Sequence, residues 1–378
     1  MNPAAPLCSL DRRGVALPLA LFTLVIAAVM ITAVFYVGRL EQRMGYNSLA
    51  STQAFEAAEA GAAAVLTSWV PSTYNSMAAG ATISLPSTSV GGNAVYTASV
   101  RRLNSVLFLI QAEGRYLIAG QAVTRRQVAR LVRLEPPEVL PEGGLITRLG
   151  LEVNGTAAIS GVDLVPAGWG GFCPSAGPTA PAIVDSSGGV ITTGPCTGLV
   201  CLTGSPQLQV DPVNVTSATF EQLGTSSFTD LAASAEKIVS GSVSPGPTFD
   251  AGPVCRYGDL LNWGSPEDPT GPCGEYFPII YAPGDLTLSG GTGQGILLVE
   301  GHLNIVGGVR FYGVILVRGT LGLDAGNVYG TVMTENQSAT PSQVGGTQIS
   351  FSRCVLDRAT TGAAWPRALE ERSWVQLY

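Results

Sequence analysis

Charged side chains are scarce in this sequence, and their scarcity limits the chemistry that it can support. Asp, Glu, Lys and Arg make up 12% of the 378 residues, against about 25% in typical soluble proteins. The net charge of −7 is dispersed and no basic run occurs, so a nucleic-acid partner is not expected. Histidine occurs once, at His302, and the seven cysteines form no C-x-x-C pair, so a structural metal site is not expected.

Catalytic motifs are equally sparse. The sequence has neither a Gly-x-Ser-x-Gly elbow nor a phosphate-binding loop. His302 lies in a repeated segment whose neighbouring copies have Asp285 and Thr320, which favours a residue that stacks between repeats. Paired carboxylates for glycoside cleavage stay open, because their separation is a three-dimensional property. We therefore expect no enzymatic activity, no catalytic residue and no cofactor.

Four acidic residues lie near one pair of cysteines. They are Asp259, Glu267, Asp268 and Glu275, in and after the segment from Cys255 to Cys273. Carboxylates are ligands that calcium prefers. Their spacing matches no defined calcium loop, so a solvated acidic loop is the preferred interpretation and no bound metal is expected.

A long run without charge is present at the start of the chain. Arg12-Arg13-Gly14 is followed by 23 uncharged residues, Val15 to Val37. As a helix this run would span roughly 34 Å, enough to cross a hydrocarbon core of about 30 Å. A secretory signal peptide would have a shorter apolar core and a small-x-small cleavage site. A plain membrane anchor is a second alternative.

The helical pattern continues beyond this run. Residues 38–70 contain no proline and are rich in Ala, Glu, Gln and Leu, which are good helix formers. Apolar residues recur there at helical spacing until Pro71. One helix from Val15 to Val70 would be about 84 Å long. This length suits a filament subunit whose apolar half packs in a filament core while the other half supports a globular head.

The stretch from Arg13 to Gly61 resembles the N-termini of type IV pilins, and most nearly those of PilX-type minor pilins. Gly14-Val15-Ala16-Leu17 resembles the prepilin-peptidase junction. Leu40-Glu41-Gln42-Arg43-Met44 and the segment 54–61 resemble the family's helix signatures. The resemblance implies cleavage between Gly14 and Val15, methylation of Val15, an inner-membrane prepilin, and assembly with other pilins at a bacterial surface.

Leu19 departs from the pilin pattern. Most pilins have a glutamate as the fifth residue after cleavage, thought to neutralise a neighbour's terminal amine, and this chain has Leu19. The resemblance places Leu17, Leu19, Leu21 and Phe22 in the filament core. We hypothesise a structural minor pilin that initiates or tips the pilus and adheres to a host or surface ligand. Alternatives are a K-type tip pseudopilin of type II secretion and a membrane-anchored β-helix that binds or cleaves polysaccharide.

Six cysteines remain if the leader containing Cys8 is removed. They are Cys173, Cys196, Cys201, Cys255, Cys273 and Cys354. An even number is typical of disulfides formed in an oxidising compartment. Fifteen connectivities are open, and the local closures Cys196–Cys201 and Cys255–Cys273 are favoured.

A repeat follows the helix and a strand-rich stretch. Segments that begin at Gly295, Gly313 and Gly330 align with spacings of 18 and 17 residues, and each period holds two short strands that begin at glycine. Such a repeat is typical of a β-solenoid, although a run of antiparallel hairpins stays as an alternative. Gly144-Leu145-Ile146-Thr147 and Gly161-Val162-Asp163-Leu164 predict earlier coils.

The predicted fold class is α+β, with a long N-terminal pilin helix and antiparallel meander followed by a mainly parallel β-helix. The predicted order is a prepilin leader 1–14, helix 15–70, β meander 71–141, solenoid 142–350 with an insertion at about 211–278, and a C-terminal cap 351–378. Candidate contact aromatics in the head are Trp169, Trp263, Tyr257 and Trp365, and packing is the preferred interpretation of each.

Overall fold

The computed structural model describes residues 16–75, 77–104, 106–140, 142–173, 175–224, 226–337, 340–369 and 374–377. Gly14 and Val15, the residues of the predicted processing site, lie outside the described residues. Within them the predicted α+β class is confirmed: a long helix is followed by an antiparallel sheet and by parallel sheets.

The chain begins with one long helix, α1 (Ala16–Thr67, 52 residues). The helix ends three residues earlier than predicted. Pro71 begins a separate short helix, α2 (Pro71–Tyr74), because proline is tolerated in a first turn. Five strands then form an antiparallel sheet that packs against the second half of α1. They are β1 (Thr82–Ser84), β2 (Thr88–Gly91), β3 (Ala94–Arg102), β4 (Leu107–Ile118) and β5 (Gln121–Glu135).

Short parallel strands follow and build the solenoid. Those of its first two coils and the start of a third are β6 (Leu145–Thr147), β7 (Leu151–Val153), β8 (Ala158–Ser160), β9 (Ile183–Asp185), β10 (Val190–Thr192), β11 (Leu202–Thr203) and β12 (Leu208–Val210). A segment outside the coils contains α3 (Ser217–Glu221), β13 (Gln222–Leu223), β14 (Ser226–Ser227) and α4 (Phe228–Ala233). The sequence predicts one or two short helices over residues 218–238, and α3 and α4 lie there.

The remaining coils run from residue 237 to residue 350. Their strands are β15 (Lys237–Ile238), β16 (Gly241–Val243), β17 (Ile279–Ala282), β18 (Leu286–Leu288), β19 (Thr292–Val299), β20 (Leu303–Ile305), β21 (Val309–Val317), β22 (Leu321–Leu323), β23 (Gly326–Thr334), β24 (Ser342–Val344) and β25 (Thr347–Ser350). β15 and β16 form an end coil and pair in parallel with β17 and β18. The predicted insertion at 211–278 was therefore too long, since residues 237–243 belong to the solenoid.

The repeat predicted two strands per period, and the coils over residues 286–334 have two, but each coil has three sides because the longer strand bends. β23 makes this visible because its first half pairs with β25 and its second half pairs with β6. The division falls at Gly330, which has φ 130°, and the same place in β19 and β21 is occupied by Gly295 and Gly313. Glycine adopts this backbone region without a Cβ penalty, so it bends a continuous strand around a corner.

The coils do not stack in chain order. The first coil, β6 to β8, pairs on one side with β9 to β11 and on the other with β23 to β25, the last coil of the chain. After β12 the chain crosses to the opposite end at β15 and then builds back, coil by coil, toward its own first coil. Leu145 thus lies beside Val332, 187 residues away.

The tail was predicted to cap the last coil, and this prediction was wrong. Helix α5 (Arg353–Gly362) lies against the side formed by β19, β21 and β23. The chain then returns to the antiparallel sheet, where β26 (Trp365–Ala368) and β27 (Trp374–Leu377) both pair with β5. The solenoid is therefore inserted between two parts of the sheet domain, and the chain crosses between the two domains twice.

Candidate assembly segment

The first two-thirds of α1 packs against almost nothing among the described residues, and Tyr46, beside Tyr116, makes a contact near its end. From position 16 to position 49 its residues are exposed, apart from the half-buried Gly38. Exposed fractions are 74% for Leu17, 63% for Leu19, 58% for Leu21 and 64% for Phe22. This segment is long and apolar enough to cross a membrane by length and composition. Exposed apolar surface of this extent indicates contact with lipid or with other helices.

The rest of α1 packs closely on the sheet because the contacting residues are small. The buried helix residues are Ala50, Ala54, Ala57, Ala58, Gly61, Ala62 and Val65. On β4, Gly114 faces the backbone of Ala54 and Ala58, so that any Cβ at Gly114 would meet the Ala54 carbonyl. β4 continues through Gly114, and the glycine allows the close approach.

Polar and aromatic contacts fix the same half of the helix from the side. Arg126 donates two hydrogen bonds to Ser51 Oγ, at 2.9 and 2.7 Å. Trp374, on the returning strand β27, donates from its indole nitrogen to Glu59 at 2.6 Å and packs edge-on against Phe55. The exposed and packed halves of α1 therefore meet at about residue 50.

The sheet domain and the solenoid are joined by hydrogen bonds as well as by two chain crossings. Asn75, after α2, donates to the carbonyls of Gly362 and Ala364 at 3.1 and 2.9 Å, at the end of α5. Its own carbonyls accept from Arg102 and Trp69, at 2.7 and 3.0 Å. Two crossings plus this cluster should hold the solenoid at a fixed angle to α1.

Three disulfides join the six cysteines. Cys196 pairs with Cys201 and Cys255 pairs with Cys273, which are the two local closures that the spacing favoured. The remaining pair, Cys173–Cys354, joins residues 181 apart. It ties the loop after the first coil to α5, which follows the last coil, and therefore holds together the place where the two ends of the solenoid segment meet.

Both ends of the solenoid are closed by loops that contain a local disulfide. Cys196 is buried in the same apolar cluster as the inward-facing strand residues at one end, and Trp263 joins that cluster at the other. Lys237 of the end coil donates to the carbonyls of Tyr257 and Asp259 in the Cys255–Cys273 loop. Burial lowers the pKa of the Lys237 ammonium, although Glu236 and Asp259 act in the opposite direction.

The remaining candidate residues, His302 and the acidic residues near the disulfide loop, do not come together in one site. His302 Nδ1 accepts from the Thr320 backbone at 2.9 Å, and the His302 backbone donates to Asp285 at 2.8 Å, so the three residues link successive coils. The acidic residues near the disulfide loop are dispersed: Glu267 pairs with Arg310 and Glu275 with Arg358. Among the described residues no group of three or more metal-ligating side chains occurs.

The candidate aromatics divide into packed and exposed residues. Trp169 and Trp263 are fully buried, and Trp169 stacks on Tyr312 with ring centroids 5.7 Å apart. Trp365 packs beside the apolar cluster under α1. Tyr257 alone of the four is mainly exposed, with its ring edge-on to Tyr276.

Sequence reasoning overlooked a charged row on the solenoid. Glu300, Arg318, Glu335 and Arg148 occupy the same position in four consecutive coils. Arg318 binds Glu300 at 2.8 Å and Arg148 lies 3.5 Å from Glu335. The aligned repeats end in Glu300, Arg318 and Glu335, so the alternation was visible, but no repeat period connects it to Arg148.

No family model and no curated protein matches this chain. Among solved structures it is similar to the competence-associated pilin ComZ from Thermus thermophilus, with a TM-score of 0.25 and 12% sequence identity. The match covers 87% of this chain and 97% of that one. A TM-score of 0.25 is too low for this likeness to support an inference.

Proposed function

We propose that this chain is a non-enzymatic minor pilin of a type IV pilus. The observation that supports this most directly is the division of α1 near residue 50. An exposed apolar segment continues without a break into a helix that packs on an antiparallel sheet. The first part suits a bilayer before assembly and a core of packed helices afterwards, because both surroundings are apolar.

The proposed location is the bacterial inner membrane for the precursor and the cell surface for the assembled subunit. Prepilin peptidase would cleave between Gly14 and Val15, and the partners of the exposed α1 segment would be the equivalent helices of other pilins. Leu19 supports an initiating or tip position. A lone charge inside an apolar core costs at least about 2.5–3.5 kcal/mol, and a subunit with leucine there offers no carboxylate to the amine of a neighbour.

N-terminal mass spectrometry on sheared surface filaments and on membranes tests this proposal. The expected chain in the sheared fraction begins at N-methylated Val15. Gly14→Val should block cleavage and leave the chain in membranes. Gly38→Ala is the control, because a Cβ at Gly38 meets nothing within 4 Å. Finding only chains with an intact leader, in membranes alone, would contradict the proposal and restore the alternative of an anchored solenoid.

The tip position has a separate test. Immunogold labelling should place the solenoid at filament ends, and even labelling along the shaft would contradict a tip role. A K-type pseudopilin is less well supported, since its family head contains a large helical insertion and α3 and α4 have only five and six residues.

An adhesive role would belong to the solenoid surface. Deleting residues 211–278 would remove the end coil as well as the loops, so a point change is preferable. Tyr257→Ser alters an exposed ring and should reduce attachment without changing pilus number. Normal attachment by this variant would argue against a contact at that loop.

A further inference from the structure

The turn between β4 and β5 has an unusual composition for an exposed hairpin. Its sequence is Leu117-Ile118-Ala119-Gly120-Gln121-Ala122-Val123. Hairpin turns normally contain Asn, Asp or Gly at the central positions, because both need positive φ. Here Ala119 has φ 51° beside Gly120 at 81°. Ile118 and Val123 are 39% and 50% exposed, so the tip presents apolar side chains to its surroundings.

The position of this tip follows from the direction of β4 along α1. Phe108 packs edge-on against Trp69, with ring centroids 5.3 Å apart. Gly114 faces Ala54, and the side chain of Tyr116 lies beside that of Tyr46. β4 therefore runs from the end of α1 toward its exposed half, and the turn lies beyond Tyr116 in the same direction.

The tip comes close to the end of the uncharged run. Tyr46 follows Val37 by nine residues, or roughly 14 Å along a helix. The turn extends roughly 7–13 Å beyond Tyr116 in that direction, at about 3.3 Å per strand residue. The tip therefore lies within about 10 Å of the level where the hydrocarbon would end, and the headgroup layer beyond that level is about 5–7 Å thick.

The charge around the tip is basic although the whole chain is acidic. The arginines nearest this level are Arg39, Arg43, Arg115 and Arg125. Only Glu41 and Glu113 oppose them nearby along the two elements, and Glu113 is bound by Arg115. Basic side chains beside exposed apolar ones match a surface of anionic lipid headgroups over acyl chains.

We propose that the β4–β5 hairpin tip docks on the anionic lipid surface while α1 spans the membrane. The inference rests on the membrane-anchored form in the proposed function and adds a second contact to it. Ile118 and Val123 enter the headgroup region and the arginines bind lipid phosphates. With α1 as one contact and the hairpin as another, the head is held at a defined orientation over the bilayer before the subunit is extracted.

Photo-crosslinking in nanodiscs that hold one full-length chain tests this contact. The lipid is phosphatidylcholine with phosphatidylglycerol, and it includes a phospholipid with a diazirine near the headgroup. Crosslinks mapped by mass spectrometry are expected in α1 and in residues 117–123. One chain per disc removes neighbouring subunits as an alternative occupant. Replacing phosphatidylglycerol with phosphatidylcholine should reduce the hairpin crosslinks several-fold and leave those in α1 unchanged.

The double variant Ile118→Asp, Val123→Asp should lose the hairpin crosslinks and keep those in α1. Leu103→Asp is the matched control, because Leu103 is 41% exposed at the β3–β4 turn, at the opposite end of the sheet. Crosslinks in α1 alone for the unchanged chain would overturn the hairpin contact and leave membrane anchoring intact. Absence of crosslinks from α1 as well would overturn the membrane-anchored form on which the inference rests.

Discussion

The sheet domain and the solenoid bury apolar side chains by different means. In the sheet domain, one helix lies on antiparallel strands that follow each other closely along the chain, and small residues let the backbones approach. In the solenoid, each coil depends on its two neighbours, as in other repeat folds. The contact between Leu145 and Val332 depends on chain segments 187 residues apart.

This difference predicts that substitutions will affect the stability of the two domains differently. Local contacts can re-form around a defect, whereas a stacked array with a non-sequential join has one place where the first and last coils must meet. The join consists of the pairing between β6–β8 and β23–β25, the Cys173–Cys354 disulfide, and the contact of Arg148 with Glu335. The changes below test the corners, the join and the helix contact in order of decreasing expected effect.

The glycine corners should be the most sensitive sites. Gly313 has φ 147°, and a Cβ there would meet the carbonyl oxygen of Gly295. Gly313→Val should destabilise the solenoid by about 2–6 kcal/mol, from backbone strain and overpacking together. The measurement is the denaturant midpoint of the full chain in detergent micelles, followed by circular dichroism and pulse proteolysis.

Gly284→Ala is the control for the corner variant. Gly284 lies in a solenoid turn, and a Cβ there meets nothing within 4 Å. Its effect should stay within about 0.5 kcal/mol. If Gly284→Ala lowered the free energy of unfolding as much as Gly313→Val, any glycine in the solenoid would matter. The corner argument would then fail.

Loss of the long disulfide, Cys173–Cys354, should give the next-largest destabilisation. Replacing Cys173 and Cys354 with serine opens a closed loop of 181 residues and should cost about 2–5 kcal/mol. Replacing Cys196 and Cys201 opens a spacing of only five and should cost about 2 kcal/mol. Protease sensitivity near β6 and β25 should rise in the first variant alone, and the reverse order would contradict a role at the join.

The elements that were predictable are those with a local signal. The uncharged run and the proline-free stretch specify α1, and the glycine period specifies the coils from Gly295 onward. In β19 and β21 the apolar residues run continuously because both faces are buried, one inside the coil and the other under α5. Such runs could be recognised without knowing their neighbours.

The order of the coils had no comparable signal. Every coil presents similar apolar strands. The sequence therefore does not show that β6 pairs with β23 as well as with β9. The returning strands were hidden for another reason: β26 and β27 have four residues each, and β26 contains Pro366, which normally lowers strand propensity. Pro366 is tolerated because β26 is an edge strand.

The helix contact in the sheet domain should be less sensitive than the join. Gly114→Val would push β4 away from Ala54 and should cost about 2–3 kcal/mol, because the helix can shift along its exposed side. Gln111→Val on the opposite, exposed face of β4 is the control. Hydrogen exchange in residues 50–65 should rise in the first variant only. Unchanged exchange there would mean that the close approach does not hold α1.

A change in the charged row should have the smallest effect on stability. It should still distinguish a buried ion pair from an exposed one. Glu335 is 4% exposed at its side chain and lies between Arg318 and Arg148 in successive coils. Glu335→Gln leaves two arginines without a carboxylate between them and should cost about 1–2 kcal/mol, weakly dependent on salt because the carboxylate is buried. Asp250→Asn removes a pair with Arg256 in which both side chains are 52% exposed and should leave the denaturant midpoint nearly unchanged. Measuring the denaturant midpoint at low and high salt distinguishes the two variants. If the stability loss of Glu335→Gln disappeared in high salt, the charged row would behave as ordinary surface charge and would contribute nothing particular to the join.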